Sequence, residues 1–218
     1  MTDLPASATA VAVVASSIPG EFLVPDLVDA FAADQPEYTV DVTTTDTAGV
    51  FAALRATEAE VGFAGAEPDD DDLVAEVVAA DEIVLAVPAG HPFASGDPVS
   101  VHQLSEVPLV EREEGSGTRR SFVDALAERG TPLFGEQGWT VRETNEDLLH
   151  AVADGAGVGV VSSWALERHG RDDVVAARLE GDPLRRCLYL VLRRDDDLGP
   201  AARVFVDGVR ARLEGHSS

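Results

Sequence analysis

Residues 111–122 read EREEGSGTRRSF and lie between an apolar run at 108–110 and an amphipathic run at 121–127. This order predicts a strand, a glycine-rich turn and the start of a helix. The glycines let the backbone turn sharply and approach a ligand closely, and Ser116 and Thr118 can cap the helix. Free N–H groups at the positive end of a helix bind anions and carboxylates. The stretch therefore predicts binding of a small acidic molecule.

Three further stretches follow the same order of apolar strand, small hydroxyl residues and helix start. Ligands of open α/β sheets bind beyond the carboxyl ends of the strands, so four such loops predict a shared polar cleft. Ordinary helix capping is the favoured explanation of each loop when it is taken alone. The candidate ligand-binding residues from the four loops are Ser16, Ser17, Thr44, Thr45, Ser116, Gly117, Thr118, Thr144 and Asn145.

The first half of the chain alternates strands and helices. Residues 9–15 form the continuous apolar run of a buried parallel strand, and residues 73–78 and 82–87 predict two separate strands. The resulting βαβαβ plan predicts an α/β fold with a mostly parallel sheet flanked by helices. Two prolines and a glycine within residues 88–93 predict a linker to a second, smaller α/β half.

Motifs for catalysis, cofactors and metals are not evident in the sequence. The Gly-Ala-Gly-Val-Gly run at 155–159 has the wrong spacing for a dinucleotide fingerprint and predicts a tight helix-to-strand turn. A Walker A motif needs a lysine, which the chain does not contain, and the five histidines are scattered. We therefore expect no cofactor, no metal and no enzymatic activity, although a Ser–His–Asp triad stays open at this point.

The composition limits the partners of the chain. Its 218 residues carry a net charge of −24, and all 16 basic side chains are arginine. This acidic excess predicts adaptation to high salt, with an acidic protein from a GC-rich genome as the alternative. Phosphates would be repelled, so we expect no direct nucleic-acid binding. No apolar run has transmembrane length and no signal peptide is evident, which predicts a cytoplasmic protein that binds no membrane.

Four stretches in order along the chain resemble the effector-binding (substrate-binding) domain of LysR-type transcriptional regulators. These stretches are residues 15–25, 82–93, 112–119 and 155–161. The resemblance extends from about Val11 to Val209 and implies the two-lobed fold of type 2 periplasmic binding proteins. Each lobe would be a mostly parallel sheet flanked by helices, and two crossover segments would join the lobes. The DNA-binding helix-turn-helix of that family has no counterpart in this sequence.

The resemblance also implies domain limits and a function. Residues 1–88 would begin lobe one, residues 89–186 would form lobe two, and residues 187–218 would return to lobe one. A small anionic or carboxylate effector would bind between the lobes, in a sensor linked to transcriptional regulation. The alternatives are a solute or oxyanion receptor of a transport system, such as a phosphate- or molybdate-like one, and an enzyme on this fold. A homodimer and a separate DNA-binding protein are the expected macromolecular partners.

Overall fold

The computed structural model describes residues 9–69, 71–130, 139–170, 172–194 and 198–216. The described residues divide into two compact units: residues up to 79 with those from 188 onward, and residues 80–187. Two strands carry the chain from one unit to the other, β4 (Leu73–Pro88) and β9 (Leu184–Arg193). The two crossover segments that the resemblance implied are therefore strands.

The first unit contains three parallel strands in the order β2-β1-β3, and β9 pairs antiparallel with β3. The strands are β1 (Ala10–Ser16), β2 (Thr39–Thr45) and β3 (Val61–Ala64). The helices of this unit are α1 (Ser17–Phe22), α2 (Val24–Asp34), α3 (Thr47–Arg55) and α8 (Pro200–His216). Helices α1 and α3 begin directly after the carboxyl ends of β1 and β2, as the sequence pattern predicts.

An aromatic cluster holds the closing helix α8 on the first unit. Phe205 is fully buried, and its ring meets the ring of Phe31 edge-on at 5.1 Å and that of Phe63 at 6.4 Å, centroid to centroid. Edge-to-face pairs at these separations stabilise a core beyond the burial of their area. The C-terminal helix is therefore an integral part of the first unit.

The second unit contains a set of three parallel strands in the order β6-β5-β7, extended by antiparallel pairs of β4 with β7 and with β8. Its further strands are β5 (Leu109–Arg112), β6 (Thr140–Arg142), β7 (Val158–Ser162) and β8 (Val174–Ala177). Its helices are α4 (Val101–Ser105), α5 (Gly117–Glu128), α6 (Asn145–Ala153) and α7 (Ser163–His169), with a 3-10 helix at Pro92–Ser95. The expected α/β architecture is confirmed.

The glycine run at 155–159 forms the helix-to-strand turn that its spacing predicts. Gly155 has a φ of 81°, which favours glycine, and it follows the last turn of α6. A Cβ atom on Gly157 would collide with the carbonyl oxygen of Pro108, and one on Gly159 would lie 2.7 Å from Val152 Cγ2. These glycines let the turn and β7 lie close against β5 and α6.

Two expectations about the chain between the units differ from the structure. Residues 73–78 and 82–87 are one strand, β4, because the intervening residues keep an extended backbone. The chain therefore changes unit at residues 79–80, nine positions before the expected limit after Pro88. The return lies at residues 187–188, one position after the expected limit. Residues 1–8 and 217–218, which the expected lobe limits include, lie outside the described residues. No helix in the described ranges is long and apolar enough to cross a membrane.

Candidate functional site

The predicted residues of the first unit lie where two parallel strands end together. Ser16, the last residue of β1, is the register partner of Thr45, the last residue of β2, and Ala15 pairs with Thr44. Ser16 is 4% exposed and occupies the N-cap position of α1, but its side chain makes no capping hydrogen bond. Ser17 begins the helix. The structure thus brings all four predicted residues of this unit to one sheet edge.

The two threonines of this edge are exposed and lie against glycines of neighbouring helices. A Cβ atom on Gly20 in α1 would lie 3.5 Å from Thr44 Oγ1, and one on Gly49 in α3 would collide with Thr45 Oγ1. The amide of Gly49 donates to the capping carboxylate of Asp46 at 2.6 Å. The glycines therefore allow the helices to start close to the strand ends, with the threonine hydroxyls beside them.

The second unit repeats this construction with three strands. The parallel strands β6, β5 and β7 are followed by helices α6, α5 and α7, and the residues before these helices are Thr144, Ser116 and Ser162. The carboxyl ends of parallel strands meet at one edge of a sheet, so the three helix starts share that edge. Oriented N–H groups at such an edge favour an anion.

The predicted residues at this edge differ in what they offer. Thr144 caps its own helix, since its Oγ1 accepts from the amide of Asp147 at 3.0 Å. Ser116 is 5% exposed and is an N-cap without a capping hydrogen bond, and Thr118 in the first turn of α5 is 3% exposed. Gly117, the first residue of α5, is also buried. At this edge, Thr144 therefore caps its helix through its side chain, whereas Ser116 does not.

Arg112 connects two of the predicted loops, and no local sequence pattern indicates this role. Its side chain is 3% exposed; Nε and Nη2 donate to the two carboxylate oxygens of Glu113 at 2.9 and 3.0 Å. Nη1 donates to Asn145 Oδ1 at 2.8 Å, and Nη2 donates to the carbonyl oxygen of Glu143 at 2.7 Å. The end of β5 is thereby fixed to the start of α6.

A second buried ionic cluster was also missed. Asp81 in β4 has a fully buried side chain. One oxygen of its carboxylate accepts from Nε and Nη2 of Arg186 in β9 at 2.9 and 2.7 Å. The hydroxyl groups of Ser162 and Ser163, where β7 passes into α7, donate to its other oxygen at 3.0 and 3.3 Å. Asp81 is one of three acidic residues in the stretch 73–88, so the sequence alone does not single it out.

The electrostatics of this cluster are those of buried charges. Burial has the largest effect and lowers the pKa of the Arg186 guanidinium. The neighbouring Asp81 carboxylate raises this pKa, and the positive charge of Arg112 lowers it. Arg186 and Arg112 are therefore two buried cations within electrostatic reach of one another. Within the described ranges, no group of three or more histidine, cysteine, aspartate or glutamate residues could hold a metal ion.

Comparison with known protein families gives one match along almost the whole chain. A family model for the LysR substrate binding domain matches residues 7–214. The HTH-type transcriptional regulator CbbR of Rhizobium meliloti (strain 1021) is 30% identical over 189 residues, which are 85% of this chain and 59% of that protein.

Another relative carries a different name. The phosphonates import ATP-binding protein PhnC of Anaeromyxobacter dehalogenans (strain 2CP-C) is 39% identical over 202 residues, which are 91% of this chain and 40% of that protein. The chain therefore matches only part of these curated relatives, 40% of the length of PhnC and 59% of that of CbbR.

A solved structure supports the fold. The regulatory domain of CcmR from Synechocystis PCC6803, solved in complex with 2-PG, superposes with a TM-score of 0.82. The superposition covers 94% of this chain and 98% of that one, at 20% sequence identity. At this identity the likeness concerns the fold.

Proposed function

We propose that this chain, which belongs to the LysR substrate-binding domain family, is a ligand-sensing domain that binds a small anionic or carboxylate effector. The effector would contact a strand-end edge of the kind described above, and its binding would serve transcriptional regulation. The chain would act by binding and not by catalysis. We place it in the cytoplasm, where a sensor linked to transcription would work.

The observation that carries this proposal is the pair of buried serines that precede a helix in each unit without capping it. Ser16 and Ser116 stand at N-cap positions, where a serine side chain ordinarily accepts a hydrogen bond from the helix. Because they do not, their hydroxyl groups and the first N–H groups of the helices can turn to a ligand. An anion suits this set of donors best.

Regulation of transcription is favoured over the transport receptor. CbbR is named as a transcriptional regulator, and its similarity covers 85% of this chain. PhnC, named for phosphonate import, is matched over 40% of its own length, so its name does not establish transport for this chain. The DNA contact that regulation requires would come from a separate DNA-binding protein or another part of the regulator.

We also propose that the chain forms a homodimer. Strands β2 and β6 are the outer strands of their units, and each carries an exposed valine, Val42 at 40% and Val141 at 49%. Exposed apolar side chains on edge strands favour association with another chain. Light scattering after size exclusion should report a dimer, and replacing Val42 and Val141 with glutamate should shift it toward monomer. An unchanged mass would contradict the use of these edges.

The effector proposal is tested by calorimetric titration with inorganic phosphate, sulfate, glycolate and shikimate, together with neutral glycerol and cationic choline, at constant ionic strength. We expect at least one anion to bind and the neutral and cationic compounds not to bind. In the double variant Ser116→Ala with Thr118→Val, the second change keeps the side-chain size and the first removes a single oxygen atom. The variant should weaken binding about tenfold by removing two hydroxyl partners.

Ser121→Ala supplies the matched control, because Ser121 lies farther along the same helix α5. This variant should bind as the unchanged chain does, and circular dichroism should show all three proteins folded. Binding of glycerol or choline as tight as that of every anion would contradict the proposal. Binding of an anion that ignores the changes at Ser116 and Thr118 would remove this edge from the site.

A further inference from the structure

The two buried arginines of the second unit differ in how fully their guanidinium groups are used. An arginine presents a fork of donors along its Nε–Nη2 side and a second fork along its Nη1–Nη2 end. Arg112 uses both, the side for Glu113 and the end for Asn145 and Glu143. Arg186 uses its side alone, and both bonds go to Asp81 Oδ2.

Nη1 of Arg186 donates to no residue that the structure describes, and Nη2 donates once, to Asp81 Oδ2. Arg186 is nevertheless 7% exposed and its side chain 4%. The small exposed part of the side chain leaves the open donors of Nη1 within reach of solvent, so a ligand can take them. Asp81 offers no further partner, since its other oxygen already accepts from Ser162 and Ser163.

From this geometry we infer that Arg186 is the specificity-determining residue of the proposed effector site, and that its Nη1–Nη2 end binds a carboxylate or another oxyanion in a bidentate manner. The inference rests on the proposed function and deepens it. The planar fork of a guanidinium matches two oxygens of one anionic group, which a single ammonium or hydroxyl group cannot do.

The position of Arg186 agrees with this assignment. Its partner carboxylate contacts Ser162, the last residue of β7, at the same strand-end edge as Arg112 and Ser116. The charge of Arg112 acts on the Arg186 guanidinium, so two buried positive charges lie near one another. An anion between the end of Arg186 and the N-terminus of α5 would relieve that repulsion and use the open donors.

The test compares three variants. A purely structural ion pair and an anion-binding arginine predict changes of opposite sign in the affinity for the anion when Asp81 is replaced. Arg186→Gln removes the charge and the fork, and it should weaken binding of the anion found by titration about 10- to 100-fold. Arg186→Lys keeps the charge without the fork and should lose part of that affinity. Asp81→Asn removes the negative charge beside the guanidinium, so it should bind the same anion more tightly than the unchanged chain.

If the pair had a structural role alone, Asp81→Asn and Arg186→Gln would both lose folded protein and anion binding. The matched control is Arg129→Gln, an arginine of the same unit that donates to the carbonyl oxygens of Glu180 and Asp182. Calorimetry with phosphate, sulfate, glycolate and shikimate at constant ionic strength supplies the affinities, and circular dichroism supplies the folded fraction. If Arg186→Gln does not fold, the other two variants still test the inference, because it predicts weaker anion binding by Arg186→Lys and tighter anion binding by Asp81→Asn.

The possible failures are distinguishable. If an anion binds the unchanged chain and the Ser116 and Thr118 variant weakens it, but Arg186→Gln binds normally, this inference is overturned and the proposed function stands. Weaker binding by a folded Asp81→Asn variant would also overturn it. If no anion of the panel binds the unchanged chain, the proposed function and this inference fall together.

Discussion

Replacing Arg112 with glutamine should destabilise the second unit severely. The change removes a buried guanidinium that pairs with Glu113 and also serves Asn145 Oδ1 and the Glu143 carbonyl. Removing one partner of a buried ion pair costs about 3–5 kcal/mol. Glu113 is 24% exposed and regains part of its hydration, so we expect a loss near the lower end, about 3 kcal/mol.

Urea denaturation followed by circular dichroism measures this loss as a change in the free energy of unfolding. The matched control is Arg120→Gln, whose exposed i,i+4 pair with Asp124 should contribute about 0.3–0.5 kcal/mol. A double-mutant cycle with Asn145→Ala isolates the bond between the two loops and should give a coupling of about 1.5–3 kcal/mol. A loss under about 1 kcal/mol for Arg112→Gln, or no coupling, would refute the view that Arg112 fixes α6 to β5.

Three other predictions concern charge. The melting temperature should rise by several degrees between dilute buffer and about 1 M salt, where the Debye length is about 3 Å, and a flat profile in calorimetry would remove the salt-adapted interpretation. Arg210 lowers the pKa of Glu76 through a hydrogen bond, so this pair stabilises above the unfolded pKa of glutamate and its contribution disappears as the pH falls through the lower folded value. Because both side chains are over 40% exposed, the effect is under about 1 kcal/mol, and Glu76→Gln should remove it from urea titrations at acid pH. The purified chain should show no DNA affinity in fluorescence anisotropy at low salt, and specific binding by the chain alone would contradict our account of its charge.

The elements of the fold could be predicted because strand and helix periods are local properties of the sequence. The apolar run at residues 9–15, for example, forms the predicted strand as β1 (Ala10–Ser16). The continuous strand β4 could not be predicted, because residues 79–82 interrupt the apolar run with an Asp-Glu pair. Inside the protein the carboxylate of Asp81 pairs with Arg186, 105 positions away, and also accepts from Ser162 and Ser163.

In the candidate site too, the residues marked by a local sequence pattern could be predicted, and those defined by contacts distant in sequence could not. The edges that contain Ser16 and Ser116 were predictable, since a hydroxyl residue between a strand and a helix marks the carboxyl end of that strand. Arginines 112 and 186 were not, because arginine is ordinarily an exposed residue and nothing in a local pattern indicates its burial. Their partners lie on other strands and loops, so only the tertiary structure identifies them.

The buried arginines also show how a chain with a net charge of −24 could bind the proposed anion. Surface carboxylates act through water and salt, which screen them beyond about 8–10 Å at ordinary ionic strength. The guanidinium groups of Arg112 and Arg186 lie in the protein interior, where the same charge acts far more strongly over a short distance. The acidic surface therefore governs solubility and opposes DNA, while the local field at the strand-end edge of the second unit can stay attractive to a small oxyanion. High salt would screen the charges of the acidic surface most strongly and would leave the local field of the buried arginines largely intact.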